Sequence, residues 1–208
     1  MMNRYAIALL AAATLAFSHT AESAGAPPSD LDPAVAAVLQ KEGVRIKDGA
    51  KIVMELWFVN AAPSGPQTSE SNVTLGTIPH GALLGVVRFP EKGADRRGQG
   101  MKPGVYTARL SFFPPDGNHQ GVSEQRDFLI LSPAGSDKDP KSTPEYEKLM
   151  DMSRAATGTP HPAVLSLWKG DASKFKAGVA LEGEHDWVLQ HKIGDLPVAV
   201  IVAGVFNH

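Results

Sequence analysis

Short runs in which apolar and polar residues alternate, each closed by a turn-forming cluster, dominate the chain and leave it few folds. Ile52, Met54, Leu56 and Phe58 alternate with Lys51, Val53, Glu55 and Trp57, and Tyr106, Leu110 and Phe112 alternate with Val105, Thr107, Arg109 and Ser111. A two-residue period turns one face of a strand toward a core. The 20 Gly and 16 Pro residues fall mainly between such runs, as at Pro79-His80-Gly81, Pro103-Gly104 and Pro114-Pro115-Asp116-Gly117, where they supply turn geometry. Further strands are predicted over 73–78, 82–89, 127–131, 163–168, 186–192 and 197–206. Two helices interrupt them. The first starts at Asp32-Pro33, carries Val35, Val38 and Leu39 on one stripe and stops at Gly43; the second starts at Thr143-Pro144-Glu145, puts Tyr146, Leu149, Met150 and Ser153 on one face and ends before Gly158. Seven or eight strands without strand-helix-strand alternation predict a mainly β protein, an antiparallel β-sandwich with two short helices.

The N-terminus reads differently. Arg4 precedes an apolar run over residues 5–17, followed by a stretch of small residues, which is the pattern of an export signal. A spanning helix needs roughly 20 apolar residues, so the run predicts a removable leader, residues 1–23, cut near Ala21-Glu22-Ser23 or Ala24. Residues 24–208 then form a single domain, periplasmic or secreted, with no stable membrane anchor. The chain has no cysteine, which excludes disulfides, thiolate metal sites and a lipidated N-terminal Cys. Its 20 Lys and Arg against 22 Asp and Glu leave a charge of -2, so a nucleic acid or an anionic membrane surface is not the expected partner.

Several segments form a set: Glu42-Gly43-Val44, Glu55-Leu56-Trp57-Phe58, Arg97-Gly98-Gln99, Lys102-Pro103-Gly104-Val105-Tyr106-Thr107, Asp116-Gly117-Asn118-His119-Gln120-Gly121, Arg126-Asp127-Phe128-Leu129 and His161-Pro162-Ala163-Val164-Leu165. Together they resemble a group of exported bacterial proteins of unknown function, over most of the chain. The resemblance implies envelope localisation and a single domain. It brings no activity, ligand or catalytic residue.

Polar chemistry concentrates in the turns. Asp116, His119, Arg126 and Asp127 form the richest cluster, and Arg97 and His161 join it as candidate binding residues. Neighbours such as Arg126 and Asp127 point to opposite faces of a strand, so adjacency alone makes no ion pair, and anchoring the loop is their structural alternative. No His pair has the two- or four-residue spacing of a metal site. Such a site would have to be assembled by the fold from His80, His119 and His161, and no metal or cofactor is expected. The segment 93–100 has glycines but not the order of a phosphate loop, and reads as a flexible hairpin tip with a basic patch at Arg96-Arg97. The expected function is a non-catalytic envelope protein that binds a partner protein or a small ligand. Two alternatives stay open: a metal-assisted or His/Asp hydrolase using His119 and His161, and a scaffold without a small-molecule site.

Overall fold

A computed structural model describes residues 18–113 and 125–204. In chain order the strands are β1 (His19–Gly25), β2 (Gly43–Asp48), β3 (Lys51–Phe58), β4 (Leu83–Phe89), β5 (Gly93–Ala94), β6 (Gly100–Met101), β7 (Gly104–Phe112), β8 (Asp127–Pro133), β9 (Ala163–Lys169), β10 (Gly178–Glu182), β11 (Asp186–Ile193) and β12 (Leu196–Ala203). Helix α1 covers Pro33–Ala37 and α2 covers Tyr146–Thr157. The Asp32 carboxylate accepts from the Ala34 N–H at 2.9 Å and so caps α1 ahead of Pro33. Helix α2 stops at Gly158, whose φ of 68° is left-handed, as helix ends commonly require.

Ten of these strands form one antiparallel sheet in the order β1-β2-β3-β4-β7-β8-β9-β12-β11-β10. The edge strands β1 and β10 return against each other without joining as ladder neighbours, so the sheet is a nearly closed barrel. This corrects the expectation of a seven- or eight-stranded sandwich. Sandwich and barrel both bury one face of every strand, so alternation cannot tell them apart. The strand count fell short for a related reason. Strand β1 lies at the end of the stretch read as a leader, and β10 is a largely exposed five-residue run with little patterning.

Register aligns the interior. Leu110 lies opposite Leu129, which lies opposite Leu165, and Leu167 lies opposite Val200, which lies opposite Leu189; all six are buried. The alternate residues of β8 and β9, Phe128, Ile130 and Val164, form a second cluster with Leu149 and Met150 of α2, which places α2 on the outside of the barrel wall. Ser153 secures it there. Its hydroxyl donates to the Leu131 carbonyl at 2.7 Å and accepts from the Ala163 N–H at 2.9 Å. Tyr146, at the start of α2, is 37% exposed and lies beyond this packed face.

Two loops depart from expectation. Residues 73–78 form no strand, because the N–H groups of Thr74 and Leu75 donate to the Asp127 carboxylate at 2.7 and 2.9 Å and are withdrawn from any ladder. The glycine-rich segment is held rather than free, since Arg96 is buried, forms a bidentate ion pair with Asp186 and also donates to the Gly204 carbonyl. Among the described residues no helix is long and apolar enough to cross a membrane.

Candidate functional site

The end of β7 breaks the alternation with two consecutive aromatics, Phe112 and Phe113, both half-buried. Beside them, between the N-terminal turn of α2 and the 62–82 loop, lies a cleft of about 450 Å³. His80, Arg126, Glu70, Glu145, Phe112 and Tyr146 are among its walls. A smaller cavity of about 140 Å³ adjoins it, lined by Arg97, Ser111, Arg154 and His161 together with apolar residues. Phe112 and Tyr146 border both, so the two spaces meet along an aromatic ridge. The larger falls within the range of small-molecule sites.

Arg109 builds one side of this region. It projects from β7 into a fully buried position, where Nε and Nη2 donate to the two oxygens of Asp137 at 2.7 and 2.8 Å. Its Nη1 donates to the carbonyls of Gly81 at 2.8 Å and Ser142 at 2.6 Å, and Nη2 also reaches the Asp139 carbonyl at 2.7 Å. One guanidinium thus ties the turn that carries His80 to the connection that leads into Glu145 and Tyr146. Its planar fork suits such a junction.

Asp95 builds the other side. Its buried carboxylate accepts from the N–H groups of Arg97 at 3.0 Å, Gln99 at 2.8 Å and Val164 at 3.1 Å. Gln99 extends the link by donating through Nε2 to the Pro162 carbonyl at 2.8 Å, and it accepts from the Thr159 hydroxyl. Burial raises the Asp95 pKa, and these hydrogen bonds oppose that shift. The consequence is positional: the turn bearing Arg97 is fastened to the loop bearing His161. Among the described residues the Arg97 guanidinium has no hydrogen-bond or ion-pair partner, whereas Arg154 is paired with Asp151.

The candidate residues therefore divide. Arg97 and His161 meet at the smaller cavity, and Arg126 lines the larger. The Arg126 side chain is already engaged, donating to Phe113 O, to Ser71 O and to Glu70 at 2.7 Å, so it clamps the cleft wall. Asp127 is fully buried, and its oxygens accept from the Thr74 N–H and hydroxyl and the Leu75 N–H. It lines neither of these two spaces and anchors the backbone of Thr74 and Leu75, the structural alternative to a binding role. Asp116 and His119 lie outside the described residues. Among the described residues no three His, Asp or Glu side chains are grouped as a metal ion would need.

Sequence reasoning passed over the aromatic ridge and the contact between His80 Nε2 and the Ser111 hydroxyl, 3.1 Å apart. Consecutive Phe residues beside a polar turn were the available signal. Burial lowers the His80 pKa, and the Glu145 carboxylate and a hydrogen bond to the Pro144 backbone pull it partway back. His191 shifts the same way through burial, stacked on Phe58 with ring centroids 5.0 Å apart. In both, the unfolded chain takes up protons before the folded one does. Stability from these groups is fully present above the ordinary value of 6.5 and is lost as pH falls toward the lower folded values. Urea unfolding is expected to show lower stability at pH 5.5 than at pH 7.5, and His80→Gln should flatten that dependence.

Compared with known proteins, the chain matches no protein family, no curated protein and no solved structure.

Proposed function

We propose that this is a non-catalytic binding protein of the bacterial envelope whose ligand is a small organic anion with an aromatic or acyl body. The observation that carries the reading is the Arg97 guanidinium, unpaired among the described residues, at an aromatic-walled cavity beside a cleft large enough for the rest of such a molecule. A guanidinium at a partly dry wall favours a carboxylate or phosphate, which it can engage in two parallel hydrogen bonds. Phe112 and Tyr146 offer flat apolar faces to the body. The export pattern around Arg4 supports the compartment.

Calorimetric titration with phenylacetate and octanoate, each against its neutral amide, tests the proposal. The anions are expected to bind and the amides to bind far more weakly. Arg97→Ala should weaken anion binding roughly 10- to 100-fold, the worth of one hydrogen bond to a charged group. Equal binding of anion and amide would contradict it.

The hydrolase alternative draws on the His80–Ser111 contact, because a buried neutral imidazole could take a proton from the hydroxyl. The setting is unfavourable. Ser111 is 2% exposed, and it pairs with Phe128 inside the β7–β8 ladder, a regular strand position and not the strained turn that presents a nucleophile beside oxyanion donors. Labelling of Ser111 by a fluorophosphonate would establish the alternative.

A further inference from the structure

From the contacts of β1, we infer that export processing cuts the chain between Ser18 and His19, ahead of the strand and not within it. This rests on the export reading above.

The strand is built into the fold. His19, Thr20, Ala21, Glu22, Ser23 and Gly25 each pair with a residue of β2. Glu22 accepts from both Arg45 and Lys47, Ser23 donates to Glu42, and the His19 ring lies 4.7 Å from that of Trp187. The last contact joins β1 to β11, across the seam where β1 and β10 close the barrel. At the last residue of the strand, the Gly25 carbonyl accepts from Trp57 Nε1 at 2.9 Å. A cut after Ser23 or Ala24 would remove five of these six pairings, and one after Ala21 would remove three of them with the His19–Trp187 contact; each would bare part of β2 as an edge and widen the seam. Exposed edges of that kind invite pairing with other chains.

The sequence offers an earlier cut that spares the strand. Ala16-Phe17-Ser18 places small residues three positions and one position before the His19 bond, as cleavage of a leader requires. Arg4 remains in the charged leading region, and residues 6–15 form an apolar stretch of the length such leaders use.

Expression of the full chain in a Gram-negative host, followed by N-terminal sequencing and intact mass of the protein recovered from the periplasm, tests this. The account expects a chain that begins at His19, and expects Ser18→Leu to block its formation while Ser23→Leu leaves the cut in place. A chain beginning at Glu22, Ala24 or Gly25 would overturn the inference and leave the export reading standing. Retention of Met1 would overturn both.

Discussion

Asp137→Ala is expected to destabilise the protein by about 3–5 kcal/mol, because it strands the Arg109 charge in a buried site without its counterion. Asp137 neutralises Arg109 through two hydrogen bonds and accepts a third from the Thr107 hydroxyl at 2.6 Å. Water cannot replace it easily, since both side chains are almost completely inaccessible. At about 2–4 °C per kcal/mol for a domain of this size, the midpoint of thermal unfolding should fall by roughly 6–20 °C. The double variant Arg109→Met with Asp137→Leu should recover much of the loss, because removing both charges removes the burial penalty. It should not restore ligand binding. The carbonyls of Gly81 and Ser142 would have lost the guanidinium that sets the two walls of the cleft. Calorimetry of the three proteins separates the charge effect from the positional one, and a Tm for Asp137→Ala within about 2 °C of the parent would refute the assignment.

Gly81→Ala should produce the second large effect, and from a different cause. Gly81 has φ +78°, and a Cβ there would sit 2.6 Å from the Pro144 carbonyl oxygen and 2.9 Å from its nitrogen. The residue cannot shift to escape. Its N–H donates to the Leu110 carbonyl at 2.8 Å and its carbonyl accepts from Arg109 at 2.8 Å, so both backbone groups are committed. The left-handed conformation costs about 1–2 kcal/mol and the overpacking a further ~1–3, for a total loss of roughly 2–5 kcal/mol. His80 precedes Gly81 and should move with it, so probe binding is expected to weaken as well. Gly135→Ala is the control. No atom lies within 4 Å of its Cβ position, and it should unfold in urea like the parent.

The local level of the fold was legible because it depends on near neighbours. Alternation over 51–58 and 105–112 found β3 and most of β7. The Asp32-Pro33 signal found the start of α1 and Gly158 the end of α2, whereas α1 ends at Ala37 and Gly43, expected to stop it, opens β2. Long-range polar bonding was not legible. Residues 73–78 look like a strand until Asp127, at the start of β8, claims the N–H groups of Thr74 and Leu75. Arg96-Arg97 looks like one solvated basic patch. In the folded protein the first is buried against Asp186 and the second opens onto a cavity, because Asp95 fixes the turn between them and β9. Arg97 and His161 were named as candidates, but their meeting depends on Gln99 reaching Pro162, which no spacing along the chain encodes. The barrel itself needed β1 and β10, two strands with exposed faces and little hydrophobic pattern.

The central claim is that a small organic anion occupies the space between Arg97 and the Phe112–Tyr146 ridge. The most direct measurement is an NMR titration of the labelled protein with octanoate, following backbone, methionine methyl and aromatic signals. The account predicts saturable shifts confined to Arg97, Phe112, Tyr146, Met150 and His161 and their immediate neighbours, displaced to much higher octanoate concentration in Arg97→Ala. Saturable shifts centred elsewhere, for instance along the β1–β10 seam, or no shifts at all with either octanoate or phenylacetate, would contradict it.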